Sequence, residues 1–385
     1  MTVEIHGFCE PQFEKLKETF HQNFKDGLEV GASYAVTVNG KYVVDIWAGH
    51  MDAAKTMPWE KDTLVNVFSS TKVMTTLCVH ILVDRGLLDV EQPVAKYWSE
   101  FAQNGKENLP VKYLLSHTSG LAGWDTLITL EDFYDWDKVT GLLAAQKPWW
   151  EPGTVSGYHG FTHGYLLGEL VRRVTGKSLG AFFRDELAEP LGADFFIGLP
   201  EEYDIRVAEL IPSETPEGFD IDLDPESMFM KVFGNPILDP KQKYTRSRGW
   251  LGAEIPAANG QGNAHSMARI GSVVACGGNL EGKTFLSSDT IEKSIEEQIY
   301  GTDLLLGSIR WGLGWGLPSK EAPYPNWETR RACHWGGFGG STISMDLDAK
   351  VCSAYAMNKQ IMSFTGDIRT QRLSQVLYEC LGEDM

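Results

Sequence analysis

Several features that would assign the chain to common functional classes are missing from the sequence. Basic residues are few: 34 Lys and Arg stand against 52 Asp and Glu in 385 residues, which gives a formal net charge of −18. Such a surface repels nucleic acid and anionic membranes, so neither is expected as a partner. No run of 18 apolar residues occurs, and the N-terminus lacks the pattern of a signal peptide, which predicts a cytoplasmic location.

The chain also lacks the cysteine and histidine spacings that bind metals or build disulfide frameworks. Its six cysteines form no C-x-x-C pair, and its nine histidines form no H-E-x-x-H or other zinc-ligand spacing. Scattered cysteines in a cytoplasmic chain are expected to be reduced and to behave mostly as small buried hydrophobes. We therefore predict no metal and no cofactor, and the oligomeric state stays open.

What is present is the composition of an ordinary globular protein, 43% hydrophobic and 22% charged. The length suffices for one large domain or two modest ones. Residues 10–26 place apolar side chains on one helical stripe. Two β-rich runs, 31–38 and 41–47, flank Asn39-Gly40, and this pattern predicts a hairpin with a two-residue turn.

The middle of the chain has a different periodicity from its two ends. Residues 70–86 and 161–175 show helical spacing and end at Gly86 and Gly176. Strand patterns return after about residue 300 and a last helix follows them: strands at 310–317, 333–335, 341–347 and 351–357, and the helix at about 364–382.

This order of elements predicts an α+β fold. An antiparallel sheet, built by both chain ends and flanked by the N- and C-terminal helices, would carry an inserted, mainly helical domain. Residues 1–75 and 255–385 would form the discontinuous sheet domain, and residues 76–254 the helical domain. The active site would lie at their interface.

The pattern S-x-x-K is met by Ser69 and Lys72, although chance alone supplies about one such match in a chain of this length. The context is more informative, because the strand-like run 64–68 passes here into the helix at 70–86. A spacing of three places the serine and the lysine on one helix face, while Ser70 has the wrong spacing. The helix N-terminus would lower the pKa of Lys72 and offer N–H groups to an oxyanion. The alternative is an N-cap serine with an exposed lysine.

Two glycine-rich segments would complete such a site. Tyr158 lies in Gly157-Tyr158-His159-Gly160, where its hydroxyl would shuttle a proton; the alternative is a tyrosine packed under a loop. The segment 334–340 contains four glycines, which let a backbone approach a ligand and donate an N–H to an oxyanion. The alternative for this segment is a bulge or a hairpin turn.

Two further motif matches are rejected. The segment 176–180 fits G-x-S-x-G, but a nucleophile elbow follows a strand, whereas this segment follows a helix. Ser178 is therefore predicted to be a helix N-cap. The same segment imitates the end of a P-loop, but the required first glycine falls on Val171.

Together and in order, these motifs resemble the serine β-lactamase and penicillin-binding-protein superfamily, and most of all the family VIII carboxylesterases, which are similar to class C β-lactamases. The resemblance runs through nearly the whole chain. Beside Ser69 and Lys72, the segments that carry it are Leu114-Leu115-Ser116-His117-Thr118-Ser119-Gly120-Leu121, Pro152-Gly153-Thr154 with Tyr158, Val174-Thr175-Gly176 and Trp311-Gly312-Leu313-Gly314-Trp315-Gly316.

The resemblance implies roles for individual residues. Ser69 would be the nucleophile, and Lys72 and Tyr158 would share the general base and acid work. The N–H of Ser69 would form an oxyanion hole with a second N–H from the segment that starts Trp335-Gly336-Gly337. If Trp335 occupies the lysine position of the family's third motif, K-T-G, the donor is Phe338. If His334 occupies it, the donor is Gly337; the first register is favoured because W-G-G is the usual esterase form.

Two departures from the β-lactamase pattern bear on the substrate. Gly160 stands where β-lactamases have the asparagine of Y-x-N, and Trp335 stands where they have a lysine. Loss of an amide donor and of a positive charge should weaken β-lactam binding by about 1–3 kcal/mol each. Neutral, small or medium esters are therefore favoured, and tryptophans expected near the pocket agree with an apolar substrate group: Trp124, Trp149, Trp150 and Trp335.

The leading hypothesis is thus a carboxylesterase that acts on a small-molecule ester through a Ser69 acyl-enzyme, with β-lactams as side substrates. The first alternative is a β-lactamase or D-amino-acid peptidase or amidase. The second is a catalytically inactive binding or scaffold protein of the same fold.

Overall fold

The computed structural model describes residues 3–213, 224–322 and 327–382. The strands are β1 Ile5–Cys9, β2 Gly31–Val38, β3 Lys41–Gly49, β4 Val65–Asn66, β5 Gln261–Gly262, β6 Asn279–Leu280, β7 Lys283–Thr284, β8 Ile299–Asp303, β9 Gly307–Trp311, β10 Ala332–Gly336, β11 Thr342–Asp346 and β12 Val351–Met357. The α-helices are α1 Glu14–Lys25, α2 Thr71–Asp84, α3 Lys112–Leu115, α4 Trp136–Ala145, α5 Thr162–Thr175, α6 Leu179–Phe183, α7 Glu189–Leu191, α8 Met228–Phe233, α9 Arg248–Gly252, α10 Ala264–Ala275, α11 Ser288–Ser294 and α12 Ile368–Cys380. Shorter helices are 3-10 turns at Pro11–Phe13, Phe68–Ser70, Val94–Lys96, Ser99–Phe101, Asp132–Tyr134, Glu201–Arg206 and Lys243–Arg246, and a π-helix at Arg184–Ala188.

Both ends of the chain build one antiparallel sheet in the strand order β1-β3-β2-β12-β11-β10. The two halves meet where β2 pairs with β12, with Tyr34 opposite Tyr355. Helices α1 and α12 pack on each other and cover one face through Phe20 and Leu377, and α10 covers the other face. The predicted α+β fold, a sheet flanked by the terminal helices with a mainly helical insertion, is confirmed. The exact division into domains stays a prediction.

Local chemistry explains several element boundaries. The β2–β3 hairpin turns at Asn39 and Gly40, which both have positive φ, at 51° and 75°, as a two-residue turn of this twist requires. Gly176 ends α5 in the left-handed conformation, at φ 73°. Ser178 caps α6 by accepting a hydrogen bond from the N–H of Ala181, as predicted. The last helix starts later than predicted, at Ile368, because Asp367 forms a capping box there.

Two sequence expectations need adjustment. The strand-like run 64–68 contains only a two-residue strand, β4, because Phe68 adopts a left-handed conformation and opens a 3-10 turn. The strand predicted at 310–317 ends at Trp311, where β9 pairs with β8 apart from the main sheet order. No expectation covered β1 or α10.

Helix α2 lies at the centre of the molecule. Its first twelve residues, from Thr71 to Leu82, are all buried, and it packs against α5, α6 and α11. A helix that is enclosed on every side holds its side chains in a fixed, water-poor setting. Whatever polar groups its first turn carries are therefore held rigidly between the sheet and the helical region.

All six cysteines are unpaired, and Cys78, Cys333 and Cys352 are fully buried. None of the helices in the three described stretches is long and apolar enough to cross a lipid bilayer.

Candidate active site

Ser69 sits in a tight turn that leads into α2. The residue before it, Phe68, has a φ of 43°, a conformation that costs a bulky side chain on the order of 1–3 kcal/mol. The surroundings hold this turn in place: the Thr71 hydroxyl donates to the Phe68 carbonyl at 2.5 Å, and the Phe68 ring packs edge-on against Phe338 at 5.8 Å. Ser69 itself is half-buried, so its hydroxyl remains within reach of a small molecule.

Lys72 is buried, and within the described residues it has no carboxylate partner. Its Nζ lies within hydrogen-bond distance of three neutral oxygens: Ser69 Oγ at 3.2 Å, the Gly160 carbonyl at 2.7 Å and the Ala257 carbonyl at 3.0 Å. The side chain is 1% exposed, and burial holds the pKa of the amine well below its usual 10.5. Burial removes hydration, which disfavours an ammonium ion, so the neutral amine is favoured.

Tyr158 lies next to both Ser69 and Lys72. Its phenol group interacts with the Ser69 side chain and accepts from the Trp335 indole N–H at 3.3 Å, and its ring centroid lies 4.7 Å from the Lys72 Nζ. Burial raises the pKa of Tyr158 above its usual 10, and the hydrogen bonds with Ser69 and Trp335 only partly offset this effect. The phenol therefore keeps its proton at neutral pH.

The loop that carries Tyr158 is held by three consecutive backbone N–H groups. The N–H of Gly157 donates to the His117 carbonyl at 3.0 Å, that of Tyr158 to Asp303 Oδ1 at 3.1 Å, and that of His159 to His117 Nδ1 at 3.1 Å. His117 thus accepts hydrogen bonds from the residues before and after the tyrosine. We name these two contacts the His117 clamp. The residue adopts a left-handed conformation, at φ 59°.

The clamp depends on a neutral imidazole. Because His117 Nδ1 accepts the His159 N–H, the ring hydrogen must sit on Nε2. Burial, together with the nearby His163, His159 and Lys72, holds the pKa of His117 well below 6.5, so the acceptor persists at neutral pH. In the sequence, His117 belongs to a family motif and is interpreted as structural rather than metal-ligating, and no motif points to Asp303.

The segment 337–341 is fastened to the Ser69 turn. Ser341 Oγ donates to the Val67 carbonyl at 2.8 Å and lies 3.0 Å from Ser70 Oγ. An added Cβ on Gly337 would lie 2.0 Å from the Val67 carbonyl oxygen, so only glycine allows this approach. The glycine-rich segment is therefore a close backbone contact beside Ser69.

Only some backbone donors in this region are available to a ligand. The N–H of Gly337 donates to the Ser341 carbonyl at 2.8 Å, and those of Gly339 and Gly340 donate to Ser363 and Gly337. Within the described part of the chain, the N–H groups of Ser69 and Phe338 have no such backbone partner.

Of the other predicted pocket residues, some lie in the site and some lie around it. Trp335 is buried and packs on Tyr158 at 5.4 Å and on Trp311 at 4.7 Å, so it belongs to the site. His334 precedes it on β10, packs on Trp327 and is buried, which lowers its pKa to about 4. Gly336, the next residue of β10, is also buried.

The remaining tryptophans support the site from outside or lie elsewhere. The Trp150 ring packs on His159 at 6.1 Å, behind the Tyr158 loop. Trp149 donates its indole N–H to Asp125 at 2.6 Å. Trp124 donates to the Val139 carbonyl at 3.0 Å and packs on Phe133 and Tyr165, in the helical core. The structure does not bring Trp124 into direct contact with the group around Ser69.

Gly160 has a neighbour that sequence reasoning missed. An added Cβ at this position would lie 2.7 Å from the Phe233 ring and 3.1 Å from Val232, both on α8. Nothing in the sequence signals this contact, because Val232 and Phe233 lie more than seventy residues further along the chain.

The fold and this grouping first define a class. A serine in the turn before a buried helix, a lysine in the first turn of that helix and a tyrosine from a nearby loop, beside an antiparallel sheet, resemble the arrangement of the serine hydrolases of the esterase/β-lactamase fold. The chain belongs to the beta-lactamase family, whose model matches residues 20–377. The resemblance inferred from the motifs is thus confirmed.

Individual relatives agree with this assignment. The chain is 36% identical over 337 residues to the esterase/beta-lactamase LipL of Mycobacterium tuberculosis, covering 82% of this chain and 75% of that protein. It is 40% identical to a family VIII carboxylesterase of known structure, with a TM-score of 0.90 and coverage of 98% and 100%. A penicillin-binding protein homologue from Caulobacter crescentus superposes with a TM-score of 0.89 at 37% identity, covering 98% of this chain and 100% of that one.

Proposed function

We propose that the chain is a carboxylesterase that hydrolyses neutral carboxylic esters through an acyl-enzyme on Ser69. The hydrogen bonding of Lys72 carries the proposal. A neutral amine has two N–H donors and one lone pair. Two donors are used by the carbonyls of Gly160 and Ala257, so the lone pair is left for the Ser69 hydroxyl hydrogen.

Acylation then proceeds with a complete proton balance. Lys72 takes the proton of Ser69 as Oγ adds to the ester carbonyl carbon, and the carbonyl oxygen becomes an oxyanion. When the bond from the carbonyl carbon to the alcohol oxygen breaks, Tyr158 gives its proton to the leaving oxygen and regains one from Lys72. A water molecule attacks the acyl-enzyme by the same route, which releases the acid and returns the proton to Ser69.

The backbone offers a place for the oxyanion. The N–H groups of Ser69 and Phe338 are without backbone partners while their neighbours are engaged, which favours Phe338 over Gly337 as the second donor. Two such donors, aimed at the developing charge, are worth about 10²–10³-fold in rate each.

Esters are favoured over β-lactams for a reason that the geometry supports. The asparagine position is glycine, and the Phe233 ring stands 2.7 Å from where its Cβ would be. Trp335 is tied to Tyr158 and brings no positive charge to a β-lactam carboxylate. Turnover of β-lactams is therefore proposed as a minor activity only, in line with the esterase/beta-lactamase description of the relative LipL.

The test is intact-mass detection of an acyl adduct with a panel of p-nitrophenyl esters, lactones, penicillins and D-Ala-D-Ala peptides. We expect adducts and turnover with short esters, both abolished in Ser69→Ala, with little change in Ser70→Ala beyond stability. Preferred turnover of penicillins or peptides would establish the β-lactamase or peptidase alternative instead. A folded protein that no ester and no serine-directed probe acylates would be the inactive scaffold.

A further inference from the structure

Aromatic rings form a continuous chain around one side of Ser69. The Phe68 ring contacts Phe338 at 5.8 Å between centroids, Phe338 contacts Phe364 at 5.5 Å, Phe364 contacts Phe233 at 5.5 Å, and Phe233 contacts Tyr158 at 6.5 Å. We call these five side chains the aromatic arc.

The arc closes on the reacting group at both ends. Phe68 is bonded to Ser69 through the backbone, and the Tyr158 hydroxyl interacts with the Ser69 side chain. Phe233, Phe338 and Phe364 are only half-buried, whereas Phe68 and Tyr158 are buried. The middle of the arc is therefore the part whose ring surfaces remain open to a ligand.

No member of the arc is ionisable except Tyr158, which keeps its proton because burial raises its pKa. Lys72, whose Nζ lies over the Tyr158 ring at 4.7 Å, is itself buried. A charged substrate group placed against the rings of the arc would lose hydration without gaining a charged partner from them. A flat apolar group would instead meet ring faces and edges at the spacings that aromatic pairs prefer.

Phe233 links the arc to the departure at Gly160. The ring edge takes up the space that any larger residue would need at position 160. Position 160, where β-lactamases have the asparagine, thus lies against the Phe233 ring. The glycine at position 160 therefore offers no hydrogen-bonding side chain, and it leaves the Phe233 ring in the space that such a side chain would occupy.

Resting on the ester hydrolysis proposed above, we propose that the preferred substrates carry a flat aromatic group, which packs against Phe233, Phe338 and Phe364 while the ester carbonyl meets Ser69.

The kinetic test compares aromatic esters with cyclohexyl esters of matched leaving group. Hydrolysis of p-nitrophenyl benzoate and p-nitrophenyl cyclohexanecarboxylate tests the acyl side, and benzyl acetate against cyclohexylmethyl acetate tests the alcohol side. We expect kcat/KM to favour the aromatic member of at least one pair, and Phe233→Leu and Phe364→Leu to reduce that preference by about three- to tenfold. The matched control, Phe24→Leu, changes an equally half-buried ring on the opposite face of the sheet and should leave the preference intact.

A binding test separates this inference from the proposed reaction. In Ser69→Ala, methyl benzoate should bind more tightly than methyl cyclohexanecarboxylate by calorimetry or tryptophan fluorescence, and the additional Phe233→Leu change should remove the difference. That result supports the arc as an aryl site even if the wild-type protein cleaves no ester, which would refute the proposed function alone. Equal binding of the two methyl esters, or a kinetic preference that neither leucine variant changes, overturns the inference.

Discussion

The two sides of the site around Ser69 are built by different means. On one side, Lys72, Tyr158 and His117 are each fixed by directional hydrogen bonds of 2.7–3.3 Å to named atoms. On the other side, the aromatic arc, which shares Tyr158 with the first side, is held by ring contacts of 5.5–6.5 Å between residues that five separate segments supply. The first side is defined by specific hydrogen-bond donors and acceptors, and the second by the packing of aromatic rings.

The two sides should therefore respond differently to substitutions. A hydrogen-bonded group in a buried site loses its function when one partner is removed, because the remaining partner is left unsatisfied. A ring surface loses contact area when a side chain is shortened, and its neighbours can partly repack. Changes on the polar side should therefore reduce the rate for every substrate, and changes in the arc should alter the ranking of substrates.

The largest effect is expected from Lys72→Met. Removal of the base should lower kcat/KM by about 10³-fold for aromatic and aliphatic esters alike. In the wild type, activity should fall with decreasing pH as Lys72 becomes protonated. Because burial lowers the pKa of the amine, this loss should occur well below pH 10.5, and the residual activity of the variant should lack it. The pH dependence of kcat/KM measures both effects.

Lys106 provides the matched control for this prediction. It is also a buried lysine that donates to backbone carbonyls, those of Gln103 and Gln146, and burial lowers its pKa to about 8. Lys106→Met should lower stability without changing the pH profile of the activity. A Lys72→Met variant that stays active with a normal acid limb would remove lysine from the mechanism.

The His117 clamp should give the next largest effect. His117→Gly keeps the left-handed backbone but removes the acceptor for the His159 N–H, so Tyr158 loses one of its three anchors. We expect kcat to fall by about 10- to 100-fold with little change in KM, since a displacement of about 1 Å at a reacting group has this cost. Steady-state kinetics with a folded variant test this expectation.

Rescue by asparagine distinguishes positioning from folding. In His117→Asn, the amide oxygen can replace Nδ1 as acceptor, and asparagine tolerates positive φ. Activity should return to within a few-fold of the wild type, whereas His117→Leu should lose both the acceptor and the backbone geometry. Equal activity of the glycine and asparagine variants would show that the clamp does not position Tyr158.

Ser69, Lys72 and Tyr158 on the polar side could be named from the sequence, whereas the contacts of His117 and most of the arc could not. Ser69 and Lys72 lie three residues apart on one helix, and the segments around Tyr158 and Trp335 carry glycine patterns with a local physical meaning. The sheet was predictable for a similar reason, because hairpins such as the one at Asn39-Gly40 are local. Phe233 and Phe364 come from segments without motif or periodicity, and only the folded chain places their rings together.

Gly160→Ala should displace a ring of the arc while leaving all five aromatic side chains in the sequence. The new Cβ would lie 2.7 Å from the Phe233 ring edge, so the ring must move away. We expect the preference for aromatic over cyclohexyl esters to fall by about three- to tenfold, while ethyl acetate, which carries no ring, is hydrolysed at nearly the wild-type rate. The ratio of kcat/KM values for the matched ester pairs measures this change.

The matched control is Gly141→Ala on α4, where an added Cβ meets nothing within 4 Å. That change should leave the ester ratio as it is and stabilise the helix by about 0.5–1 kcal/mol. An unchanged ratio in Gly160→Ala would mean that the Phe233 ring is not part of the surface that selects the substrate.

The smallest effect on activity is expected at Trp124. Its indole N–H donates to the Val139 carbonyl in the helical core, so Trp124→Phe should cost about 1–2 kcal/mol of unfolding free energy and change kcat/KM less than twofold. Trp59→Phe is the matched control, because its buried indole N–H has no acceptor within the described residues and no hydrogen bond is lost. A tenfold fall in aryl-ester kcat/KM for Trp124→Phe, without a loss of stability, would instead extend the substrate surface through Phe133 and Phe161, whose rings connect Trp124 to Phe233.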